Sequence, residues 1–491
     1  MLLLCTSVHR TCARCALLVA IILHNATAIR VAVYENGGGR HGKAPPEHKE
    51  IASDADVAAL AEGGKFALYD AHGDIVKGFG HLEKNAAGAA NDAQPPSVYL
   101  VPTKDFSQFI WPTGGAAGHR VERVGGLDRD VSLETLSLSP RLFYVQNFIS
   151  PEEAADLIAS AVSPDNPYGL RPSTTGHQSW TDGEFDEAAA TSSSRTSENA
   201  FVVAGDVAMR VKRRAFQMLR VPFDDDLDDS IQVLRYKQRQ AYIAHSDWFT
   251  LQTDDAHNWD PAAGGTNRMA TVFLYLSNVT EGGQTVFVNA ESPLATAEGV
   301  AAATASMERV LQPPSAVPAV AADLFKPHSW EASMVKDCYG KLAVRPRQGD
   351  AVLFYSQGPG GTLEDDSEHG GCPVLQGEKW AANMWVWNGP RYQTARAPPG
   401  RSAQKAAPGR DGKVSLKMAN NSPAALDFYF DIGGGPVMFA TVQPGKSTGA
   451  ETYKGHTWVA KRGKSELGRF VVDGTEDKQV FAVYRAFVAL S

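Results

Sequence analysis

Between Pro140 and Trp387 the chain opens with one strand-like run, turns to helical spacing, and then keeps to strands. That order limits the architectures open to it. Arg141-Leu-Phe-Tyr-Val145 is a strand candidate, and Ser150-Pro151-Glu-Glu follows as a helix start with Ser at N-cap and Pro at N1. Ala154, Leu157, Ile158 and Val162 continue at helical spacing, and Val207–Leu219 forms a second amphipathic helix. Apolar runs too short for helices come next: Ile231–Tyr236, Thr271–Leu276, Asp350–Tyr355 and Lys379–Trp387. Helices followed by many strands imply a mainly β, α+β unit, a sandwich or barrel braced by helices. The Ala/Pro-rich stretch from Ala290 to Ala322 reads as an inserted loop.

The flanks differ in character. Arg10 and Arg14 precede the apolar run Ala16–Leu23, and Ala26-Thr27-Ala28 is an A-x-A cleavage pattern, so residues 1–28 read as a secretory signal peptide. The alternative is an uncleaved signal anchor that also uses Leu2–Leu4. Residues 29–138 form an N-terminal region of unknown role, with strand candidates at Phe66–Tyr69 and Ser97–Val101 and a linker-like stretch from Asn85 to Pro96. The central unit is expected over 139–389. Residues 390–412, rich in Pro, Gly, Arg and Ala, read as an interdomain linker. Residues 413–491 are again strand-like, at Leu426–Phe430, Thr457–Ala460, Phe470–Val472 and Val480–Val483, and suggest a small separate β-domain.

Composition excludes some classes. At 491 residues with 43% hydrophobic and 21% charged side chains, the chain is globular and long enough for several domains. A net charge of −8 argues against a general nucleic-acid binder. Five cysteines are too few for a disulfide scaffold, and three of them, Cys5, Cys12 and Cys15, fall in the targeting segment. Cys338 and Cys372 remain, and an oxidising lumen would allow them to pair. Asn278-Val-Thr280 and Asn420-Asn-Ser422 are glycosylation triplets.

One constellation carries chemistry. His245-Ser-Asp247 follows a predicted strand, and on an extended chain residues i and i+2 face the same side, so imidazole and carboxylate reach one ion together. His369 is the leading candidate for a third ligand. Two His and one carboxylate on one face of a metal form the facial triad of non-haem Fe(II) oxygenases and leave positions open. Ten residues after His369, Lys379 opens a strand rich in Trp. A Lys entering a half-buried strand needs an anion, which a dicarboxylate cosubstrate would supply. Lys379, Asn383, Trp385 and Trp387 share one face of that strand.

The surrounding segments resemble the catalytic domain of the collagen-type and plant-type prolyl 4-hydroxylases, a family of 2-oxoglutarate oxygenases. They are Arg195-Thr-Ser197, Gln232-Val-Leu-Arg-Tyr236, Tyr242-Ile-Ala-His-Ser-Asp247, Arg268-Met-Ala-Thr271, Glu281-Gly-Gly-Gln-Thr-Val-Phe287, Val344-Arg-Pro-Arg-Gln-Gly-Asp350, His369-Gly-Gly-Cys-Pro-Val374 and Gly377-Glu-Lys-Trp380, in the family's order. The resemblance implies a double-stranded β-helix, or jelly-roll, with flanking helices. By it His245, Asp247 and His369 hold Fe(II), and Lys379 pairs with the distal carboxylate of 2-oxoglutarate. Tyr236 and Thr285 add hydroxyl hydrogen bonds to that cosubstrate, and Tyr242, Arg268 and Trp385 line the peptide groove. The cofactors implied are Fe(II), 2-oxoglutarate, O2 and ascorbate. The stretch from Phe287 to Cys338 is longer than the family pattern.

Near the C-terminus, Thr452-Tyr-Lys-Gly-His-Thr-Trp458 resembles the β domain of the von Hippel–Lindau tumour-suppressor family, a small β-sandwich that reads hydroxyproline. By that resemblance Thr452 and His456 would hydrogen-bond the ligand hydroxyl and Trp458 would wall the pocket. Thr452 stands where that family has Ser, and Phe439 where it has a pocket Tyr. A ubiquitin-ligase receptor role is not expected, because the sequence shows no helical domain after the sandwich.

These readings converge on a secretory-pathway peptidyl-proline 4-hydroxylase, expected in the endoplasmic reticulum lumen, acting on proline-rich or collagen-like polypeptide. It would be membrane-bound in the ER or Golgi only if the signal segment is retained, and no nucleic-acid partner is expected. The alternatives are a 2-oxoglutarate oxygenase acting on another side chain such as lysine, and a non-catalytic hydroxyproline-binding protein. Oligomeric state, substrate identity and the role of residues 29–138 are left open.

Overall fold

The computed structural model describes residues 28–39, 45–88, 95–104, 106–173, 195–249, 251, 258–327, 329–391, 413–420, 422, 424–431, 436–453, 456–463, 465–472, 478–483 and 488–490. The signal segment, the Cys12/Cys15 pair and nearly all of the 390–412 linker lie outside them. The chain divides into two units, residues 1–112 and 113–491.

The first unit is a four-stranded sheet in the order β2-β1-β4-β3, built from β1 (Ile29–Glu35), β2 (Glu47–Ile51), β3 (Phe66–Asp70) and β4 (Ser97–Pro102). β1 and β4 run parallel and the other neighbours antiparallel. Helices α1 (Asp54–Leu60) and α2 (Phe79–Gly88) close its core around Val31, Leu68, Leu82 and Val98. The stretch expected as a linker from Asn85 therefore begins as the last turn of α2. Leu82 anchors that helix in the core, which an Ala/Asn/Pro composition does not reveal.

The second unit starts earlier than the sequence suggested. β5 (Arg120–Val121) and β6 (Ser132–Leu138) extend a nine-stranded sheet through pairing with β7 (Arg141–Gln146). The boundary expected at 138/139 thus falls at 112/113. The full order is β5-β6-β7-β16-β12-β19-β10-β9-β8, with β8 (Arg171–Pro172), β9 (Glu198–Val202), β10 (Asp228–Tyr236), β12 (Arg268–Tyr275), β16 (Ala351–Tyr355) and β19 (Lys379–Trp387). A smaller sheet has the order β11-β17-β14-β15, from β11 (Tyr242–His245), β14 (Thr285–Phe287), β15 (Leu342–Val344) and β17 (His369–Gly371). β13 (Glu281–Gly282) and β18 (Val374–Gln376) pair beside it. Both sheets contribute to one apolar core: Tyr144, Leu234, Phe273, Val352 and Phe354 from the large one, Phe287, Leu342 and Val344 from the small one. This is a jelly-roll, in which alternate residues of each strand face the core between two sheets.

Helices α3 (Pro151–Val162) and α4 (Asp206–Met218) pack on β9, β10 and β19. Ser150 and Glu153 form a reciprocal capping box at the start of α3. Buried Arg214 of α4 reaches both Glu153, at 2.8 Å, and Asp128, at 2.6 Å.

The segment expected as an inserted loop from Ala290 to Ala322 is mostly helical. It holds α5 (Ala297–Ala302), α6 (Ala305–Val310) and α7 (Val320–Leu324), and α8 (Trp330–Gly340) follows. Met307, Val310 and Leu311 enter the main core, so the insert packs against the sandwich.

Residues 413–490 fold as a sandwich of two four-stranded sheets. Their orders are β23-β20-β26-β27 and β22-β21-β24-β25, from β20 (Lys413–Asn420), β21 (Leu426–Asp431), β22 (Pro436–Val442), β23 (Ser447–Tyr453), β24 (Thr457–Arg462), β25 (Ser465–Val471), β26 (Lys478–Val483) and β27 (Val488–Leu490). Leu416, Phe428, Trp458, Phe470 and Phe481 fill the core. The Asn420 triplet is no glycan acceptor in this fold. Its side chain is 0% exposed, and Nδ2 donates to the carbonyls of Ala424 and Val442. Among the described residues no helix is long and apolar enough to cross a membrane.

Candidate active site

Strand register assembles the site. β11 pairs antiparallel with β17 so that His245 lies opposite His369, although 124 positions separate them in the chain. Asp247 stands two residues beyond His245. One ligand atom from each of His245, Asp247 and His369 lies within 4.8 Å of the others. Asp247 Oδ1 is 3.7 Å from His245 Nε2, and Oδ2 is 3.6 Å from His369 Nε2.

Both rings are turned the same way. His245 Nδ1 lies 2.9 Å from the carbonyl of Ile243, and His369 Nδ1 lies 3.0 Å from that of Ser367. A carbonyl can only accept, so each Nδ1 carries the proton and each Nε2 lone pair points at the carboxylate. Burial and neighbouring His369 lower the His245 pKa to about 3, so the imidazole is neutral at physiological pH. Burial works to raise the Asp247 pKa, but His369, His245, Arg268 and the Thr271 hydroxyl overcome it and keep the carboxyl ionised. Thr271 Oγ1 donates to Asp247 Oδ2 at 2.7 Å. Two imidazoles, each with Nδ1 held by a backbone carbonyl and Nε2 turned toward an oriented carboxylate, form a donor set suited to a divalent ion.

Lys379 opens β19 and is 1% exposed. Among the described residues its Nζ meets no hydrogen-bond partner. The rings of Phe273, Tyr236 and Tyr275 surround it at 5.1, 5.4 and 5.8 Å. Burial lowers its pKa from 10.5 to about 7. Tyr236 connects this chamber to the triad: a Cβ placed on Gly371, on the same face of β17 as His369, would lie 3.5 Å from the Tyr236 hydroxyl. Thr285 Oγ1 accepts from the Tyr275 hydroxyl at 3.0 Å. Burial raises the pKa of both Tyr236 and Tyr275, so both phenols stay protonated. One buried cation among hydroxyl groups is a receptor for a carboxylate.

The remaining walls are aromatic and cationic. Tyr242 stacks on His245 with ring centroids 3.8 Å apart. The Arg268 guanidinium lies 3.9 Å over the Trp385 ring. Its Nε donates to Asp229 at 2.8 Å and its NH1 to the Asp247 backbone carbonyl at 3.3 Å.

A family model described as the 2OG-Fe(II) oxygenase superfamily matches residues 231–387. Probable prolyl 4-hydroxylase 4 of Arabidopsis thaliana is 31% identical over 257 residues, 52% of this chain and 70% of the relative. Probable prolyl 4-hydroxylase 3 of the same plant is 32% identical over 270 residues, 54% of this chain and 76% of the relative. The chain belongs to the prolyl 4-hydroxylase family. It is accordingly a 2-oxoglutarate- and Fe(II)-dependent dioxygenase that uses O2. Among solved structures, the viral collagen prolyl hydroxylase of Paramecium bursaria Chlorella virus-1 matches 50% of this chain and 95% of its own length, at 20% identity and a TM-score of 0.30.

The prolyl 4-hydroxylase site includes residues that sequence reasoning did not single out as functional. Thr271 holds the Asp247 carboxylate, Tyr275 lines the Lys379 chamber, and Asp229 fixes Arg268. Arg195 lies buried 4.5 Å over the Tyr242 ring, and its NH2 donates to Gln232 Oε1, which also accepts from Asn383. The signal was present: Thr271, Arg195 and Gln232 fall inside the matching segments, and Asn383 lies on the Lys379 face of β19.

In the C-terminal sandwich Thr452, His456 and Trp458 come together. Trp458 Nε1 donates to Thr452 Oγ1 at 3.0 Å, and His456 Nδ1 is 3.0 Å from the same oxygen. Phe430 lies 4.9 Å from the His456 ring and 5.0 Å from the Trp458 ring, and Phe439 meets Trp458 edge-on. Trp458 is a core residue of this sandwich as well as a neighbour of the polar pair.

Proposed function

We propose that this enzyme hydroxylates prolyl residues at C4 in a polypeptide chain. The unpartnered Lys379 ammonium beside the His245/Asp247/His369 cluster is the observation that carries the site assignment. His245 and His369 through Nε2, and Asp247 through its carboxylate, would hold Fe(II). Lys379 would pair with the distal carboxylate of 2-oxoglutarate, with the Tyr236 and Thr285 hydroxyls beside it. Bound together, the ferrous ion, ketoacid and dioxygen supply C–H oxidation, with release of succinate and carbon dioxide. The protein's own residues position the substrate and keep water away. Tyr242, Arg268 and Trp385 would form the peptide groove, where flat rings suit a prolyl ring and the Arg268 guanidinium can donate to a backbone carbonyl. The named relatives from Arabidopsis thaliana support this substrate class. Ascorbate would serve as reductant for the iron.

The reading extends to the flanks. The signal-like segment supports a secretory-pathway location, with the endoplasmic reticulum lumen favoured over a signal-anchored state. The bonded Cys338–Cys372 pair fits an oxidising compartment. Proline-rich or collagen-like chains would be its substrates, and the Thr452/His456/Trp458 pocket would bind the hydroxylated product.

The test is turnover of 2-oxoglutarate to succinate on proline-rich and collagen-like peptides, with product fragments read by mass spectrometry. Oxygen should appear on proline, depend on added Fe(II), and vanish in His369→Ala. Oxygen on lysine instead would give the chain a different substrate. Succinate release unchanged by His369→Ala would remove the metal assignment.

A further inference from the structure

We propose that helix α8 is a brace that sets the geometry of the metal site through the back of strand β17. The inference rests on the reading of His245, Asp247 and His369 as metal ligands. Along β17, His369 and Gly371 face the interior, so Gly370 and Cys372 face the opposite side. That outer face is not left to solvent. Val286, Ala343 and Cys372 pack with Ala321 and Phe325 of the insert and with Met334, Val335, Cys338 and Tyr339 of α8 as a second core.

Two points tie α8 to β17 and to Cys372, the residue that directly follows it. Cys338 is disulfide-bonded to Cys372, with a Cα–Cα distance of 6.1 Å. Met334 lies over Gly370, where a Cβ would fall 2.2 Å from Met334 Cε. The two ties are in register. Met334 and Cys338 are four positions apart on one helix face, an axial rise of about 6 Å. Gly370 and Cys372 are two apart on a strand, a rise of about 6.6 Å. A helix laid along the strand therefore grips it twice, on either side of Gly371. The strand so gripped begins with His369 and pairs with His245 on its neighbour. A shift of β17 along its axis would move one ligand relative to the other two.

The bond is a fixed strut. Cys338 and Cys372 are 0% and 1% exposed, so neither sulfur is open to attack by a dissolved thiol. Gly370 completes the fit, because any side chain there would push Met334 off the strand or press on the Tyr242 carbonyl, 3.1 Å from the same Cβ position.

The experiment uses the full chain freed of metal and Co(II) as the probe, with visible absorption reporting ligation. Wild type should bind one equivalent, and His369→Ala should not. The paired variant Cys338→Ala/Cys372→Ala should bind Co(II) about tenfold more weakly, in line with the loss of a supporting partner around a metal ligand. Its half-saturating Fe(II) concentration should rise while the KM for 2-oxoglutarate stays put. Wild-type Co(II) affinity in a paired variant that merely melts at lower temperature would overturn the proposal, leaving the disulfide as a staple only. Failure of wild type to bind, or full affinity in His369→Ala, would instead discard the metal site itself. If the paired variant does not fold, Met334→Ala keeps the bond and removes the contact on Gly370. Weaker Co(II) binding there supports the brace, and unchanged binding overturns it.

Discussion

A buried ammonium with no anion is costly to fold around, and Lys379 is such a group. Its desolvation sets two effects against each other. Lys379→Met should raise the KM for 2-oxoglutarate at least about 30-fold, because the cosubstrate loses its charge partner. The same change should stabilise the cosubstrate-free protein by about 1–4 kcal/mol, because an apolar side chain of similar length suits the ring-lined chamber. The pH dependence follows. The folded-state pKa, about 7, lies below the 10.5 of the free side chain, so between these values the unfolded chain binds more protons. Stability of the cosubstrate-free enzyme should rise with pH over that window, and denaturant melts should show the slope disappear in Lys379→Met. Saturating 2-oxoglutarate should flatten it in wild type. At this scale much of the site was legible. His-x-Asp spacing on an extended chain, and a Lys at the head of a Trp-rich strand, each demand a partner of known chemistry. Asp229 was not legible, because an Asp in a strand has no spacing that says which distant side chain it will hold, and Thr271 was marked only by lying in a matching segment, which does not name Asp247 as its partner.

Among the elements, α3 was legible from Ser150-Pro151-Glu-Glu, since a capping box satisfies orphan backbone donors by a local pattern alone. What Glu153 does beyond the cap is a matter of packing. It is buried against Arg214, and although burial works to raise its pKa, Arg214, the Ser150 amide and Arg210 hold it down, from 4.5 to about 2. Arg214→Ala leaves Glu153 buried without its main cation and should cost about 3–5 kcal/mol in a denaturant melt at neutral pH. The sign with pH is set by the lowered value. The stabilisation is complete above about pH 4.5 and is lost as pH falls toward 2, so wild type and Arg214→Ala should converge in stability across that acid range. The insert shows the opposite case. Helices α5, α6 and α7 are one or two turns long, too short for hydrophobic periodicity to register, and an Ala/Pro-rich stretch looks like a loop. α6 is held by Met307 and Val310, with Leu311 just beyond it, docking into a core formed by strands far away in sequence, while Thr296 caps α5 and Thr304 caps α6.

For the whole molecule, the start of the second unit was not legible in the sequence. β5 is the edge strand at one end of the catalytic sheet and β6 its neighbour, and little marks either before their partners are known. The C-terminal sandwich raises the remaining question, which is what an oxygenase would gain if the Thr452/His456/Trp458 cluster bound hydroxyproline. A polypeptide with many prolines offers the active site one residue at a time, and each encounter ends in diffusion unless something retains the chain. A pocket for the product, joined through a segment such as 390–412, would keep a partly hydroxylated chain at an effective concentration near the millimolar range. The advantage exists only for substrates that carry both a finished and an unfinished proline. In the full chain, Thr452→Val with His456→Phe should leave kcat and KM on a single-proline peptide unchanged. On a long multi-proline chain, the half-saturating concentration should rise by about tenfold or more. The product distribution should also shift from a few heavily hydroxylated chains to many lightly hydroxylated ones in mass spectra taken at early times. Equal behaviour of wild type and variant on the long substrate would leave the sandwich without this role. Equal loss on both substrates would mean that the substitutions damage the enzyme as a whole.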